Sequence, residues 1–273
     1  MSHSVISLGL GLGGGKSATS SGAAGGGGGG VFPNAYSCLF DGTNDTGKIT
    51  PGSLVQASEY SISLWVNFPV LQTGSHAFLS DASYSHANVT SAGNITFSSA
   101  TGTGYGLGQG TLSGVIAATD TWYHLCITKT LNGTSNPTWT YYIDGSSVGT
   151  NAGATYAKSF MFAAAAGSAV YGNVASLLGS GSGTTTHYET NCKIDELAIF
   201  TRLLTAGEVD DIWNGGTPDS LQDIAGLRNW YRMGDGTEGG AGDTVYDMAT
   251  ASAGTTTDMS LFNGPSYSSD VPS

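Results

Sequence analysis

Charge is scarce in this chain: Asp, Glu, Lys and Arg make up 10% of its 273 residues, against about 25% in an average soluble domain. Basic residues are scarcer still, 8 Lys and Arg facing 20 Asp and Glu, for a formal net charge of −12. A field of that sign repels phosphate backbones and anionic lipid, and no Lys/Arg cluster offsets it locally, which excludes nucleic acid as a partner. Long surface helices need Lys, Glu and Arg on their wet face and are expected to be scarce at best. No run approaches the roughly 18 apolar residues of a spanning helix, and the N-terminus lacks the charged and apolar regions of a signal peptide. The expectation is a soluble, unexported chain that does not insert into membranes. Cysteine is limited to Cys38, Cys126 and Cys192, far apart and without C-x-x-C spacing. Neither a disulfide framework nor a zinc site is indicated, and the three read as small core residues.

Glycine is abundant, with 43 residues, and its distribution divides the chain. In residues 1–30, Ile6, Leu8, Leu10 and Leu12 alternate with Ser7, Gly9 and Gly11, a period-2 pattern that offers one apolar edge if extended. A Gly/Ser/Ala tract follows and closes with Gly25 to Gly30. Such a tract cannot bury enough surface to order itself, so it reads as a tether. Its apolar start suits addition to the sheet edge of another chain. Gly9, Gly11 and Gly14 satisfy G-x-G-x-x-G without the flanking strand and helix of a dinucleotide site, and Gly15-Lys16-Ser17 lacks the first glycine of a P-loop, since position 10 is Leu10.

From Val31 onward, runs rich in β-branched and aromatic residues recur between turn residues, the signature of an all-β sandwich. Ser61 to Phe68 places Ile62, Leu64, Val66 and Phe68 on one core face. Trp122 to Thr128 reads as another strand, and Trp139 to Ile143 runs into Asp144-Gly145, a hairpin turn. Lys193 to Phe200 alternates Ile194, Glu196, Ala198 and Phe200 against Asp195, Leu197 and Ile199, as a strand covered on both sides. Thr205-Ala206-Gly207-Glu208 is a capping box that opens a short helix to about Asn214, with Val209, Ile212 and Trp213 on its apolar face and Gly215-Gly216 at its end.

Phe40-Asp41-Gly42, the Ser61–Phe68 strand, Trp122-Tyr123-His124-Leu125, Tyr142-Ile143-Asp144-Gly145 and Ile194-Asp195-Glu196, followed by Phe200 to Thr205, occur in the order seen in the concanavalin A-like lectin/glucanase jelly roll of the laminin G-like and pentraxin-like type. The chain resembles that family over roughly residues 36–214. The tail from Leu227 to Asp247, with Trp230 to Gly236 within it, resembles the C-terminal extension of laminin G-like proteins of tailed phages, and the Ile6 to Gly15 arm with its glycine tract resembles the start of phage virion proteins. The resemblance implies an antiparallel jelly-roll sandwich with one short helix, divided into a glycine-rich docking arm (1–30), a jelly roll (31–216) and a C-terminal extension packed on it (217–273). It implies a virion structural protein of a tailed bacteriophage, in capsid decoration or a tail fibre, assembled in the host cytoplasm and exposed on the particle. Expected partners are other virion proteins, further copies of the chain and host glycans, and a carbohydrate-binding adhesin is the alternative.

No cofactor is required by this reading, but laminin G-like jelly rolls often bind Ca2+ through loop oxygens. Asp41, Asn44, Asp45 and Asp195 are the candidates, and the competing account is that Asp41 and Asn44 make turns with their own backbone while Asp195 caps a strand end. A glycan hydrolase needs two carboxylates on one substrate. Asp195 and Glu196 are adjacent on a strand, expected to point to opposite faces, so no enzyme is expected. His124 reads as a packed residue without a nucleophile near it. Tyr84, Tyr105, Tyr156, Tyr171 and Tyr188 lie in polar, Gly-rich surroundings and are candidates for glycan or partner contact.

Overall fold

The computed structural model describes residues 32–49, 59–81, 86–98, 108, 110–132, 136–152, 172–175, 189–249 and 257–273. In chain order its strands are β1 (Ser37–Asp41), β2 (Thr46–Ile49), β3 (Tyr60–Asn67), β4 (Ser75–Asp81), β5 (His86–Thr90), β6 (Ile95–Ser98), β7 (Gly110–Leu112) and β8 (Trp122–Asn132). They continue with β9 (Asn136–Ile143), β10 (Ser146–Ala152), β11 (Gly172–Val174), β12 (Asn191–Phe200), β13 (Leu227–Tyr231), β14 (Thr244–Val245), β15 (Met259–Phe262) and β16 (Ser266–Ser268). Helix α1 (Ala206–Trp213) lies between β12 and β13. The docking residues Ile6, Leu8, Leu10 and Leu12 fall outside the described residues.

The strands form two antiparallel sheets. The first runs β10-β9-β8-β3-β12-β1-β16, with β13 also on β12, and the second runs β14-β15-β2-β11-β4-β5-β6-β7. Between them lies the main core, to which β3 gives Ile62, Leu64 and Val66, followed by Phe68, all fully buried. Each such side chain contributes about 1.5–3 kcal/mol on leaving water. The outer face of the first sheet is also covered: Cys126, Ala198 and Phe200 pack there with Val209 and Ile212 of α1 and with Leu204, Leu221 and Trp230. All three cysteines are buried and free.

Local chemistry explains the connections. The β9–β10 turn holds Asp144 at φ 49° and Gly145 at φ 72°, the paired positive angles that match the twist of a hairpin. Helix α1 begins at the capping box of Thr205 and Glu208. Glu208 is further held by Arg202 at 2.5 Å, which pulls its carboxyl down to about 2.

The alternation expected along β12 breaks at its centre. Glu196 adopts φ 48°, and the pairing with β3 slips between Asp195 and Ala198, as in a β-bulge. Ile194, Leu197 and Ile199 all face the main core, so both residues between Ile194 and Leu197 point away from it. The expectation that Asp195 and Glu196 face opposite sides is therefore corrected. The bulge sits where β12 changes partners, since β1 pairs it up to Ile194 and β13 takes over from Leu197. The C-terminal extension thus supplies strands to both sheets: β13 on β12, β15 on β2, β14 on β15 and β16 on β1.

Candidate functional site

The outer face of the first sheet carries a sealed ionic cluster. Glu196, 3% exposed, accepts from Arg232 Nε at 3.0 Å and from Trp230 Nε1 at 2.5 Å. Asp195, 0% exposed, accepts the Glu196 N–H at 2.8 Å through Oδ1, while its Oδ2 has no hydrogen-bond partner among the described residues. Burial pushes both carboxyls above the usual carboxylate range, and the Arg232 guanidinium and Trp230 indole pull Glu196 back. A carboxylate pair on one face is the raw material of glycosidase chemistry. Here one member is committed to Arg232 and both are closed off from solvent.

Register places Trp65 between Asp195 and His124 on this face. His124 Nε2 lies 2.8 Å from Ser63 Oγ, so a serine hydroxyl does stand beside it, contrary to the sequence expectation. That is the geometry of a nucleophile and its base, but both are buried, and burial drops the imidazole to about 3. Among the described residues His124 Nδ1 has no hydrogen-bond partner, and the ring packs against Trp65 with centroids 5.2 Å apart.

Asp41, Asn44 and Asp45 lie in the loop between β1 and β2, and their groups shape that loop. Asp41 Oδ1 accepts from Thr43 N–H at 2.7 Å, Asp45 Oδ2 from Asp41 N–H at 3.0 Å, and the Asn44 carbonyl from Asn263 Nδ2 at 2.8 Å. Asp195 does not join them as a ligand set: among the described residues no group of three His, Cys, Asp or Glu side chains is placed to hold a metal. The buried oxygens without a hydrogen-bond partner on the sealed face are instead Asp195 Oδ2 and the amide oxygens of Asn34 and Asn67. The Asn34 side chain hydrogen-bonds the Asp195 carboxyl and offsets part of its upward shift, and Asn67 is a diagonal neighbour of Asp195, since Lys193 pairs with Asn67 and Asp195 with Trp65.

The second sheet presents a different surface. Its core-facing residues include Ile49, Val174, Leu79, Ala87, Phe97 and Met259, so the alternate positions face outward. Register aligns these into one row, Thr244, Ser260, Lys48, Asn173, Ser80, His86 and Ser98. A second row, Asn88, Thr96 and Thr111, crosses β5, β6 and β7. Asn173 donates to Ser80 Oγ at 3.2 Å, and these two and Asn88 are buried. Ser260 and Thr111 are exposed, and Lys48, His86, Thr96 and Ser98 are half-buried. Hydroxyls and amides spaced by one strand separation, about 4.8 Å, can donate to and accept from a hydroxyl-rich ligand.

The sequence model of a known family, the concanavalin A-like lectin/glucanases superfamily, matches residues 41–210. The chain belongs to that superfamily. Among solved structures it is similar to a candidate carbohydrate-binding protein from Bacteroides ovatus, with 14% identity, a TM-score of 0.62, and 87% of this chain and 61% of that one covered. The jelly roll thus spans less than two thirds of that protein. It is also similar to a heptameric SAP-like pentraxin from Limulus polyphemus, with 16% identity, TM-score 0.48, and 66% and 82% covered. A third likeness is to domain 4 of an extracellular arabinanase from Geobacillus stearothermophilus, solved with arabinotriose, with 19% identity, TM-score 0.42, and 64% and 75% covered. At these identities the likeness is one of fold. No curated protein sequence matches the chain.

Tyr84, Tyr105, Tyr156, Tyr171 and Tyr188 lie outside the described residues. Sequence reading did not find the polar rows, Arg232 or Ser63. The rows come from eight strands, so only the register assembles them. Arg232 is 36 positions from Glu196. Ser63 sits two residues before Trp65, and alternation alone would have placed it on the face of His124.

Proposed function

We propose that the jelly roll is a non-enzymatic carbohydrate-binding head, displayed by its glycine-rich arm as a structural protein of a tailed-phage particle. The observation that carries the binding reading is the polar outer face of the second sheet, where Thr96, Ser98, Thr111 and Ser260 offer small hydrogen-bonding groups at strand spacing. Individual sugar contacts of this kind are weak, and many copies on one particle raise the effective concentration. The non-enzymatic part is supported by the commitment of Glu196 to Arg232 and by the burial of Asp195. The tether is supported by the period-2 run of Ile6, Leu8, Leu10 and Leu12 ahead of the glycine tract and by the resemblance to phage virion proteins. A hard cation such as Ca2+ would be held by Asp195 with Asn34 and Asn67, whose oxygens are otherwise unmatched, rather than by the Asp41–Asp45 loop.

The test is a glycan array probed with the full chain and with Thr96→Arg, alongside a reducing-sugar assay. Binding to a subset of glycans, lost in the variant and without release of reducing ends, is the expected result. Undiminished binding by the variant, silence across the array or hydrolysis would each overturn it. For the tether, a chain lacking residues 2–30 should no longer join phage particles.

A further inference from the structure

Residues Phe32–Tyr36 join the arm to β1, and they are held by the C-terminal extension. The Phe32 ring stacks on Trp230, with centroids 6.1 Å apart and planes at 14°, and the Arg232 guanidinium lies 4.2 Å from the Phe32 centroid. Arg232 also donates to the carbonyl oxygen of Pro33 through Nη2 and to that of Asp235 through Nη1 at 3.3 Å. Asp235 Oδ2 in turn accepts from the N–H groups of Ala35 at 2.8 Å and Tyr36 at 3.1 Å. Asn34 Nδ2 donates to the Pro272 carbonyl at 3.4 Å. Gly234 and Gly240, at φ 123° and 71°, close on Tyr36 so tightly that a Cβ at either would stand 2.6–2.8 Å from its atoms, a fit that only glycine allows.

Arg232 does not end this chain of contacts. Its Nε is fixed at 3.0 Å by Glu196, which stands in the bulge of β12, an interior strand bonded to β3 on one side and to β1 and then β13 on the other. The planar guanidinium makes three different contacts at once: an ion pair, a carbonyl bond and a stacked ring. An ammonium at the same place could supply only a point charge.

We propose that Arg232 is the anchor of the arm: it couples Phe32–Tyr36 to Glu196, so that a pull on the arm is borne by the interior of the first sheet instead of by β1 alone. The purpose of this anchor rests on the tether reading, but its test does not.

Hydrogen exchange of the full chain, followed by mass spectrometry, compares the parent with Arg232→Lys and Asp235→Ala. Arg232→Lys keeps a positive charge for Glu196 and removes the fork. Asp235→Ala removes the acceptor of Ala35 and Tyr36 and leaves the Arg232–Glu196 pair untouched. In both variants the amides of Ala35 and Tyr36 should exchange roughly tenfold faster or more, the effect of losing a hydrogen bond to a charged group, while β3 and β8 keep their protection. Unchanged exchange at Ala35 and Tyr36 in Arg232→Lys would overturn the anchor, as would an equal acceleration throughout β3 and β8. A parent chain that fails to join particles would overturn the tether and leave these exchange results standing.

Discussion

On the outer face of the first sheet, Asp195 and His124 are 0% exposed, Glu196 is 3% exposed, and α1, the Trp230 side chain and Phe32 pack over the strands. On the outer face of the second sheet the side chains are small hydroxyls and amides with Lys48 and His86 among them, and Ser260 and Thr111 stand open to solvent. The first face joins an apolar cluster to buried charges that are spent on architecture, whereas the second is a polar surface whose groups, Lys48 apart, are mainly uncharged. In a chain with so few charges, the buried carboxylates locate the structural joint, and the polar rows are the surface proposed for recognition.

The sharpest break of this contrast is in the first sheet. Arg232→Met strands the Glu196 carboxylate in a buried setting, and urea unfolding should show a loss of about 3–5 kcal/mol. A loss below about 1 kcal/mol would mean that the cluster is peripheral, since exposed ion pairs behave that way.

Occupation of the Asp195 site is expected to have the next largest effect. Calcium at a hundredfold excess over its dissociation constant should stabilise the chain by about 2.7 kcal/mol, read as a rise in melting temperature that chelation reverses. Asp195→Asn should abolish the rise. A rise that persists in Asp195→Asn would move the ion elsewhere.

Lys129 tests the core between the faces. It is fully buried, its amine has no hydrogen-bond partner among the described residues and lies 5.2 Å from the Tyr60 ring centroid, and burial lowers it to about 8. Because the unfolded chain holds this proton more tightly than the folded one, stability should rise as pH climbs from about 8 towards 10.5. Lys129→Met should be more stable at pH 7 by about 2 kcal/mol and lack that component of the rise, as chemical denaturation across the range would show.

Substitution on the second sheet is expected to have the smallest effect on stability. Thr111→Ala, at an exposed position, should change it by less than about 0.5 kcal/mol while weakening retention on a bound glycan. Equal retention would remove Thr111 from the contact surface.

Much of the framework was legible in the residues. The alternation of β3, the Asp144-Gly145 turn and the Thr205/Glu208 capping box each depend on neighbours within a few positions, and each is where the spacing puts it. The sandwich and its short helix followed from these local signals and from their order. The face of Asp195 and Glu196 was misread because a bulge at a non-glycine residue leaves no mark in an alternating pattern. The polar rows and the Arg232 joint were invisible for a different reason: they depend on register between strands far apart in the chain.

Exchange mapping of the full chain with and without a saturating glycan from the array tests the division between the two faces most directly. The account predicts added protection in β5, β6 and β7, with the amides of β12 and β13 unchanged. Protection confined to β12 and β13, with none on the second sheet, would contradict it.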